Sequence, residues 1–492
     1  MFNTDDVVVS LAAAGAGKTT ALIKEMTQLL TVYRPDEIAF VTFTRKGVQQ
    51  GINQALLANP FLRQEDLVYF RTLHALCFRE LNLKRECILT RNNMKEFNKL
   101  LGFNVTLRDA YENQTNDDKL LTLYDGERAG LVRRLYEDDS YYTFEYKRIT
   151  KAYEAFKETR GYVDFYDCLL LFKERNKPVN VKVAFIDEAQ DLTLLQWDVC
   201  RIAFSACEKV RISGDDYQTL FSYQGSSPDT LIHLAEKYRA EKLETSYRIP
   251  QKVYTFAKGI TYLLEKKIEK DFVPAKGVKG FVWEISDRYV LARRIENDIT
   301  EHGFPPNRWY LLFRNNCFID TIKIMFTDMV IPFHTANGFC IDDISLKKIK
   351  RYYNFRKKGF STPEVFNAFC KKYGIRDINE EFCTSNLIPG EEGYIYHMYY
   401  EKYGIDALME MASKEPSVLL STTHKVKGGE ADYVVLFMDC TKKVYYNLTE
   451  NTDDELRVLY VAATRARTGL YLAPSESSYS IEKIIEVVKE MA

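Results

Sequence analysis

Short apolar runs rich in β-branched and aromatic residues recur along this chain, with helical patterns between them. They are Val7–Val9, Ile38–Phe43, Val68–Phe70, Val183–Ile186, Val210–Ser213, Phe281–Ile285, Trp309–Phe313, Val418–Ser421, Tyr433–Phe437 and Leu470–Leu472. Runs that are apolar throughout, rather than alternating, suit strands covered on both faces. Strands separated by helices predict an α/β fold of parallel sheets with helices on both faces. The runs form two groups, and each group is interrupted by a helix-rich stretch without strong strands. The expected organisation is a first lobe from 1–80 and 161–245, interrupted by 81–160, and a second from 246–345 and 415–492, interrupted by 346–414.

Composition narrows the partners. The net charge is −1, so no global basic field attracts a polyanion, and any nucleic-acid contact must come from local patches and aromatics. The ten cysteines contain no C-x-x-C pair and read as reduced thiols. No apolar run approaches membrane-spanning length, and no signal segment precedes Val7. The expectation is a cytoplasmic protein with no membrane partner.

The densest chemistry follows the first run. Ala12–Thr20 reads AAAGAGKTT, a small-residue loop leading into a helix predicted over Lys18–Leu30. Backbone N–H groups of Ala14, Gly15, Ala16 and Gly17 can converge on a phosphate at the helix N-terminus. Lys18 would reach the β- and γ-phosphates, with Thr20 beside it, and the Thr19 hydroxyl would ligate Mg²⁺. Ala12 occupies the first glycine position of G-x-x-x-x-G-K-T. The plainer alternative is an Ala/Gly-rich turn, but strand, Gly-Lys-Thr and helix together favour a nucleotide. The second element is Val183–Asp191, a strand ending in carboxylates. Asp187 suits Mg²⁺, which prefers hard oxygen ligands. Glu188 suits the deprotonation of an attacking water.

Asp187-Glu-Ala-Gln-Asp191 and Gly214-Asp-Asp-Tyr-Gln218 resemble motifs of the superfamily 1 DNA helicases of the UvrD/PcrA/Rep type. Further stretches agree, in that family's order. They are Val41-Thr-Phe-Thr-Arg-Lys46, Arg71-Thr-Leu-His-Ala75, Val163-Asp-Phe-Tyr-Asp167, Leu243-Glu-Thr-Ser-Tyr-Arg248, Ser421-Thr-Thr-His-Lys-Val-Lys-Gly-Gly-Glu430 and Leu459-Tyr-Val-Ala-Ala-Thr-Arg-Ala466. The resemblance implies two RecA-like P-loop NTPase motor domains, each with a mainly helical insertion, the second one reduced. It implies ATP and Mg²⁺ as cofactors and single-stranded and duplex DNA as partners. Gln218 would sense the γ-phosphate, Arg248 and Arg465 would reach the transferring phosphoryl group across an inter-lobe cleft, Tyr247 would stack on adenine, and Glu430 would contact ribose. The plainer alternatives are a surface ion pair for Arg248 and a helix-end cation for Arg465.

The same resemblance places Phe43, Phe221 and Tyr223 on successive bases, and Thr44, His74, Thr422 and His424 on the sugar-phosphate backbone. Core packing is the alternative for Phe43 and Phe221, and helix capping for His74. Residues 347–358, KKIKRYYNFRKK, could track a phosphate backbone or form a solvated helix face. Several positions depart from the family pattern: Ala13 replaces a usual Gly, Tyr223 a Trp, and Gln224 an Arg. Seventeen residues precede Lys18 and none is Gln, so the family's adenine-reading glutamine is not expected. The reading is an ATP-dependent helicase or translocase moving 3′→5′ on single-stranded DNA, with a replication, repair or defence protein as partner. The alternative is a DNA-stimulated NTPase that remodels or senses protein–DNA complexes with little unwinding.

Overall fold

The computed structural model describes residues 2–106, 115–130, 140–270, 272–356, 368 and 392–491. Its contacts divide the chain into two compact units. The first comprises Met1–Arg248, Leu263–Lys276 and Asn451–Tyr460; the second comprises Ile249–Tyr262, Gly277–Glu450 and Val461–Ala492. Each is α/β, with a largely parallel sheet flanked by helices, as the alternating runs predict.

In the first unit, β1 (Val7–Ala12), β2 (Ile38–Thr42), β3 (Tyr69–Thr72), β4 (Val183–Ile186), β5 (Lys209–Gly214) and β6 (Arg239–Leu243) form one sheet. The order is β3-β2-β4-β5-β1-β6, and every pair is parallel. Side chains of a strand alternate between faces, and here both faces are covered. Ile38, Phe40, Val183 and Phe185 pack with Leu22, Met26 and Ile52 on one side. Ala39, Val41, Ala184 and Ile186 pack with Leu76, Leu169, Phe172 and Leu231 on the other. Both registers being apolar explains the continuous runs. Strand β6, with sequence RAEKL, has no such run, because it is an exposed edge strand whose charges guard the open ladder.

Helices Arg91–Leu101, Asn116–Arg128 and Ser140–Arg160 build a smaller core around Met94, Phe97, Leu120, Ile149 and Phe156. An ionic cluster ties them to the helix Phe165–Arg175. Arg128 bonds Asp164 at 2.8 Å and Asp167 at 2.9 Å, and Lys157 bonds the same two carboxylates. Asp164 also caps that helix by accepting the Asp167 N–H.

The second unit holds β7 (Phe281–Glu284), β8 (Trp309–Phe313), β9 (His334–Thr335), β10 (Gly338–Phe339), β11 (Val418–Thr422), β12 (Ala431–Phe437) and β13 (Ala466–Ala473). The order is β10-β9-β11-β8-β12-β13-β7, and only β10–β9 is antiparallel. Trp309, Leu311, Phe313, Leu420, Val435 and Phe437 face Leu291, Ile295, Ile322 and Phe326 of two helices. The β9–β10 pair is too short to show a period. The ends of β12 and β13 run past the predicted apolar cores, through polar residues such as Asp432, Arg467 and Thr468.

Of the basic stretch 347–358, residues 347–356 lie in the helix Asp343–Arg356, with Tyr353 buried against Tyr399 and Leu408. The side chains of Arg351, Tyr352, Asn354, Phe355 and Arg356 and all of 357–358 lie outside the described residues. Among the described residues no helix is long and apolar enough to cross a membrane.

Candidate nucleotide site and nucleic-acid face

The C-terminal edge of the first sheet gathers most of the expected residues, as parallel α/β sheets gather ligands. Strand β1 delivers the chain into the Ala13–Gly17 loop, and the helix Lys18–Leu29 follows. Gly15 (φ 73°) and Gly17 (φ 74°) adopt the left-handed conformation. A Cβ on Gly15 would also lie 2.7 Å from both Ser246 Oγ and Arg248 Cβ. Ala12 and Ala13 are buried and lie outside that conformation, so alanine is tolerated where the wider pattern has glycine. The helix has no side-chain cap and no acidic residue in its first turn, which leaves its amide end suited to an anion.

Neighbours pin the loop. Gly15 O accepts the Tyr247 N–H at 2.9 Å, and Ala14 O accepts the Ser246 hydroxyl at 3.0 Å. The Ala14 N–H donates to the Tyr460 hydroxyl at 3.3 Å. Tyr247 is 78 % exposed, and one edge of its ring lies 3.8 Å from where a Gly17 Cβ would be. It therefore stands open beside the loop, and Tyr247 and Arg248 group by contacts with the phosphate loop's unit.

At the end of β4 the Thr19 hydroxyl donates to Asp187 Oδ2 at 2.8 Å. Burial, then the neighbouring Glu188 carboxylate, push the Asp187 carboxyl up, while Thr19 and Lys18 act the other way. Glu188 has φ 53°, a left-handed backbone rare for a residue with a side chain. Its carboxylate accepts Gln190 Nε2 at 2.6 Å, and Gln190 Oε1 accepts the Asp215 N–H at 3.0 Å. Asp215 Oδ2 then takes Gln218 Nε2 at 2.6 Å. Lys18, Thr19, Asp187, Glu188 and Gln218 are thus brought to one place. Thr19 and Asp187 supply two hard oxygens and no nitrogen or sulfur. Among the described residues no group of three or more His, Cys, Asp or Glu could hold a metal by itself. A cation here would take its other ligands from water and phosphate. That is the habit of Mg²⁺, so the residues fit it.

Where β2 and β3 end, the character changes. Phe43 stacks on Phe221 with centroids 5.2 Å apart, and Phe221 meets Tyr223 at 6.2 Å. All three are half-buried. Gln224 donates to the Tyr223 hydroxyl at 3.0 Å, a neutral bond at the position where the family has Arg. Thr44 caps the helix Arg45–Ala58 by accepting the Gly47 N–H. His74 does not cap its helix; Thr72 does, by accepting the Ala75 N–H. The His74 ring instead sits edge-on to Phe165 at 5.5 Å, and burial lowers its pKa to about 4, so it is neutral at pH 7. Phe43, His74, Leu121, Tyr153, Gln196 and Tyr223 are among the lining of a cavity of about 540 Å³.

The second unit carries the remaining candidates. Thr422 closes β11, and His424 follows it, buried and held neutral by burial with Arg314 and Lys427 nearby. Glu430 precedes β12 and pairs with Arg467 at 3.6 Å. Arg465 is buried; its Nε donates to Val461 O at 3.0 Å and its Nη1 to Gly429 O at 3.2 Å. The first contact is to the end of the helix Thr452–Ala463, and the second is to the segment before β12.

Residues 2–239 match the UvrD/REP helicase N-terminal domain, and residues 417–473 match the UvrD-like helicase C-terminal domain. The chain belongs to the UvrD/REP helicase family. Tyr247 and Arg248 lie outside both matched stretches. The chain is 23 % identical over 390 residues to a probable DNA helicase II homolog of Mycoplasma pneumoniae, covering 70 % of this chain and 54 % of the relative. It is 21 % identical over 368 residues to the ATP-dependent DNA helicase Rep of Escherichia coli, covering 67 % and 53 %. It is 22 % identical over 465 residues to the Rep helicase of Buchnera aphidicola from Acyrthosiphon pisum, covering 86 % and 66 %. The chain thus spans about half the length of the first two of these family members.

The sequence reading gave no role to Gln190, Asp215, Lys270 or Tyr460, although each bonds in or beside this site. Gln190 and Asp215 lie inside quoted motifs, which is a usable signal. Lys270 sits in the charged run KKIEK, where nothing marks one lysine as buried.

Proposed function

We propose that the chain is an ATP-driven motor that moves 3′→5′ on single-stranded DNA and unwinds duplex. The observation that carries this reading is the convergence of the Lys18 loop, the Thr19–Asp187 pair and the Gln190-held Glu188 in a UvrD/REP family chain. In this reading Lys18 and the loop amides hold the β- and γ-phosphates, Tyr247 lies against the adenine, and Thr19 with Asp187 would hold Mg²⁺. That ion would neutralise charge on the β- and γ-oxygens. Glu188 takes the proton of the water attacking the γ-phosphorus, the bond to the bridging oxygen breaks, and ADP leaves. Gln218 and Arg248 contact the transferring group. Guanidinium suits that task because its planar fork stays charged. Glu430 and Arg465 keep the ribose and phosphoryl roles that the resemblance implies. Phe43, Phe221 and Tyr223 stack on bases, and Thr44, His74, Thr422 and His424 touch the backbone. Polarity also rests on the resemblance.

The test is DNA-stimulated ATPase together with displacement of strands from 3′- and 5′-tailed duplexes. Lys18→Ala should abolish both activities in a folded protein, and the 3′-tailed duplex should be the one unwound. ATPase retained in Lys18→Ala would sink the assignment. Stimulated ATPase without displacement from either duplex would leave a remodelling NTPase as the better reading.

A further inference from the structure

Lys270 lies far in sequence from every motif, yet its side chain is 1 % exposed. Its ammonium bonds Asp215 Oδ1 at 2.7 Å and Asp216 Oδ1 at 2.5 Å, and stands 3.8 Å from the centroid of the Tyr217 ring. Burying an ammonium is costly unless it is paired. Burial works against its charge, but the two carboxylates outweigh burial and hold the lysine protonated. Arg457 supports the same turn from behind, with Nε donating to Asp216 O at 3.0 Å and Nη2 to Lys266 O at 2.6 Å.

Three short routes lead from this ammonium to the nucleotide site. Asp215 Oδ2 holds the Gln218 amide. The Asp215 N–H fixes Gln190, whose amide holds Glu188. The Tyr217 ring meets the Tyr460 ring edge-on at 5.5 Å, and the Tyr460 hydroxyl takes the Ala14 N–H of the phosphate loop. Gln218, Glu188 and the loop are therefore each separated from Lys270 by one or two bonded groups.

We propose that Lys270 is a positioning residue for hydrolysis: by locking Asp215 and Tyr217 it keeps Gln218 and Glu188 aimed at the γ-phosphate and its attacking water. This rests on the nucleotide reading above. It separates binding from turnover, because the loop and Lys18 can hold the phosphates without it. A merely structural lysine would move stability alone.

The experiment uses the full chain as Lys270→Met and as Asp216→Asn/Lys270→Met. The double variant keeps the three-residue cluster at one net negative charge and decides the matter if the single variant does not fold. Single-stranded-DNA-stimulated ATPase gives kcat and KM, a fluorescent non-hydrolysable ATP analogue gives Kd, and thermal melting reports folding. The expected result is kcat lower by roughly tenfold or more, with KM and Kd within about twofold of the parent. A folded variant with parental kcat overturns the proposal. So does a fall in kcat and affinity together that follows a loss of melting temperature. A parent chain lacking DNA-stimulated ATPase overturns the nucleotide reading and this one with it; an active parent with an unaffected double variant overturns this one alone.

Discussion

One edge of one sheet carries two kinds of surface, built in opposite ways. Where β1, β5 and β4 end, Thr19, Asp187, Glu188, Asp215 and Gln218 are polar and joined to one another or to Gln190 at 2.6–3.0 Å. Where β2 and β3 end, Phe43, Phe221 and Tyr223 are joined by ring contacts of 5.2 to 6.2 Å, and His74 shares a cavity lining with Phe43 and Tyr223. Charge developing in a transition state is stabilised by dipoles already in place, so the first surface suits chemistry. A strand that must slide needs contacts that every base makes equally, so the second suits a π-face. If this division is correct, each side can be damaged without the other.

The sharpest cut is Glu188→Gln. The amide can still accept the Gln190 bond but cannot take a proton, so kcat should fall by roughly 10²–10⁴-fold. Single-turnover ATPase measures it, and single-stranded DNA affinity by anisotropy should not move. Equal losses in both would break the comparison. The converse is Phe221→Ala, which removes the ring between Phe43 and Tyr223. It should weaken single-stranded DNA binding by about 1–3 kcal/mol, similarly for oligo-dT and mixed sequences. ATPase without DNA should stay at the parental level.

The two surfaces were not equally legible. The phosphate loop, the β4 carboxylates and Phe43 sit at the ends of apolar runs, where a strand stops and a side chain meets the sheet edge; Phe221 and Tyr223 do not. Burial on both faces makes those runs readable in Ile38–Thr42 and Val183–Ile186. Strand β6 was not legible, because an exposed edge needs no apolar face. Neither was Lys270: its burial depends on pairing with Asp215 and Asp216, more than fifty residues away in the chain. Local pattern reports what a residue is, and a buried lysine reads the same as a solvated one until its partner is known. His74 shows the same limit, since its neutrality comes from burial and not from the motif around it.

That neutrality gives the third prediction. The His74 pKa falls from 6.5 to about 4 on folding. Between those values the unfolded chain takes up a proton that the folded chain refuses. The stability contribution is therefore complete above about pH 6.5 and is lost as the pH falls toward 4. His74→Gln should flatten that part of a plot of melting temperature against pH. Because the ring is uncharged at pH 7, the same variant should leave the salt dependence of DNA binding unchanged. A shallower salt slope would mean that His74 acts as a cation.

The smallest expected effect falls on Thr44, which follows Phe43 and caps the next helix. Its hydroxyl oxygen accepts the Gly47 N–H as a helix cap at 3.1 Å. A threonine hydroxyl also has a proton to donate, so capping and contact with a phosphate oxygen are compatible in one group. Two substitutions separate them. Thr44→Ala loses the cap and should cost about 1 kcal/mol of stability by denaturant unfolding. Thr44→Asp keeps a capping oxygen but has no proton to give and brings a negative charge near a polyanion. It should hold stability within about 0.5 kcal/mol of the parent while weakening single-stranded DNA binding several-fold. Parental DNA affinity in Thr44→Asp would confine Thr44 to its cap, and the DNA-facing surface would then begin at Phe43.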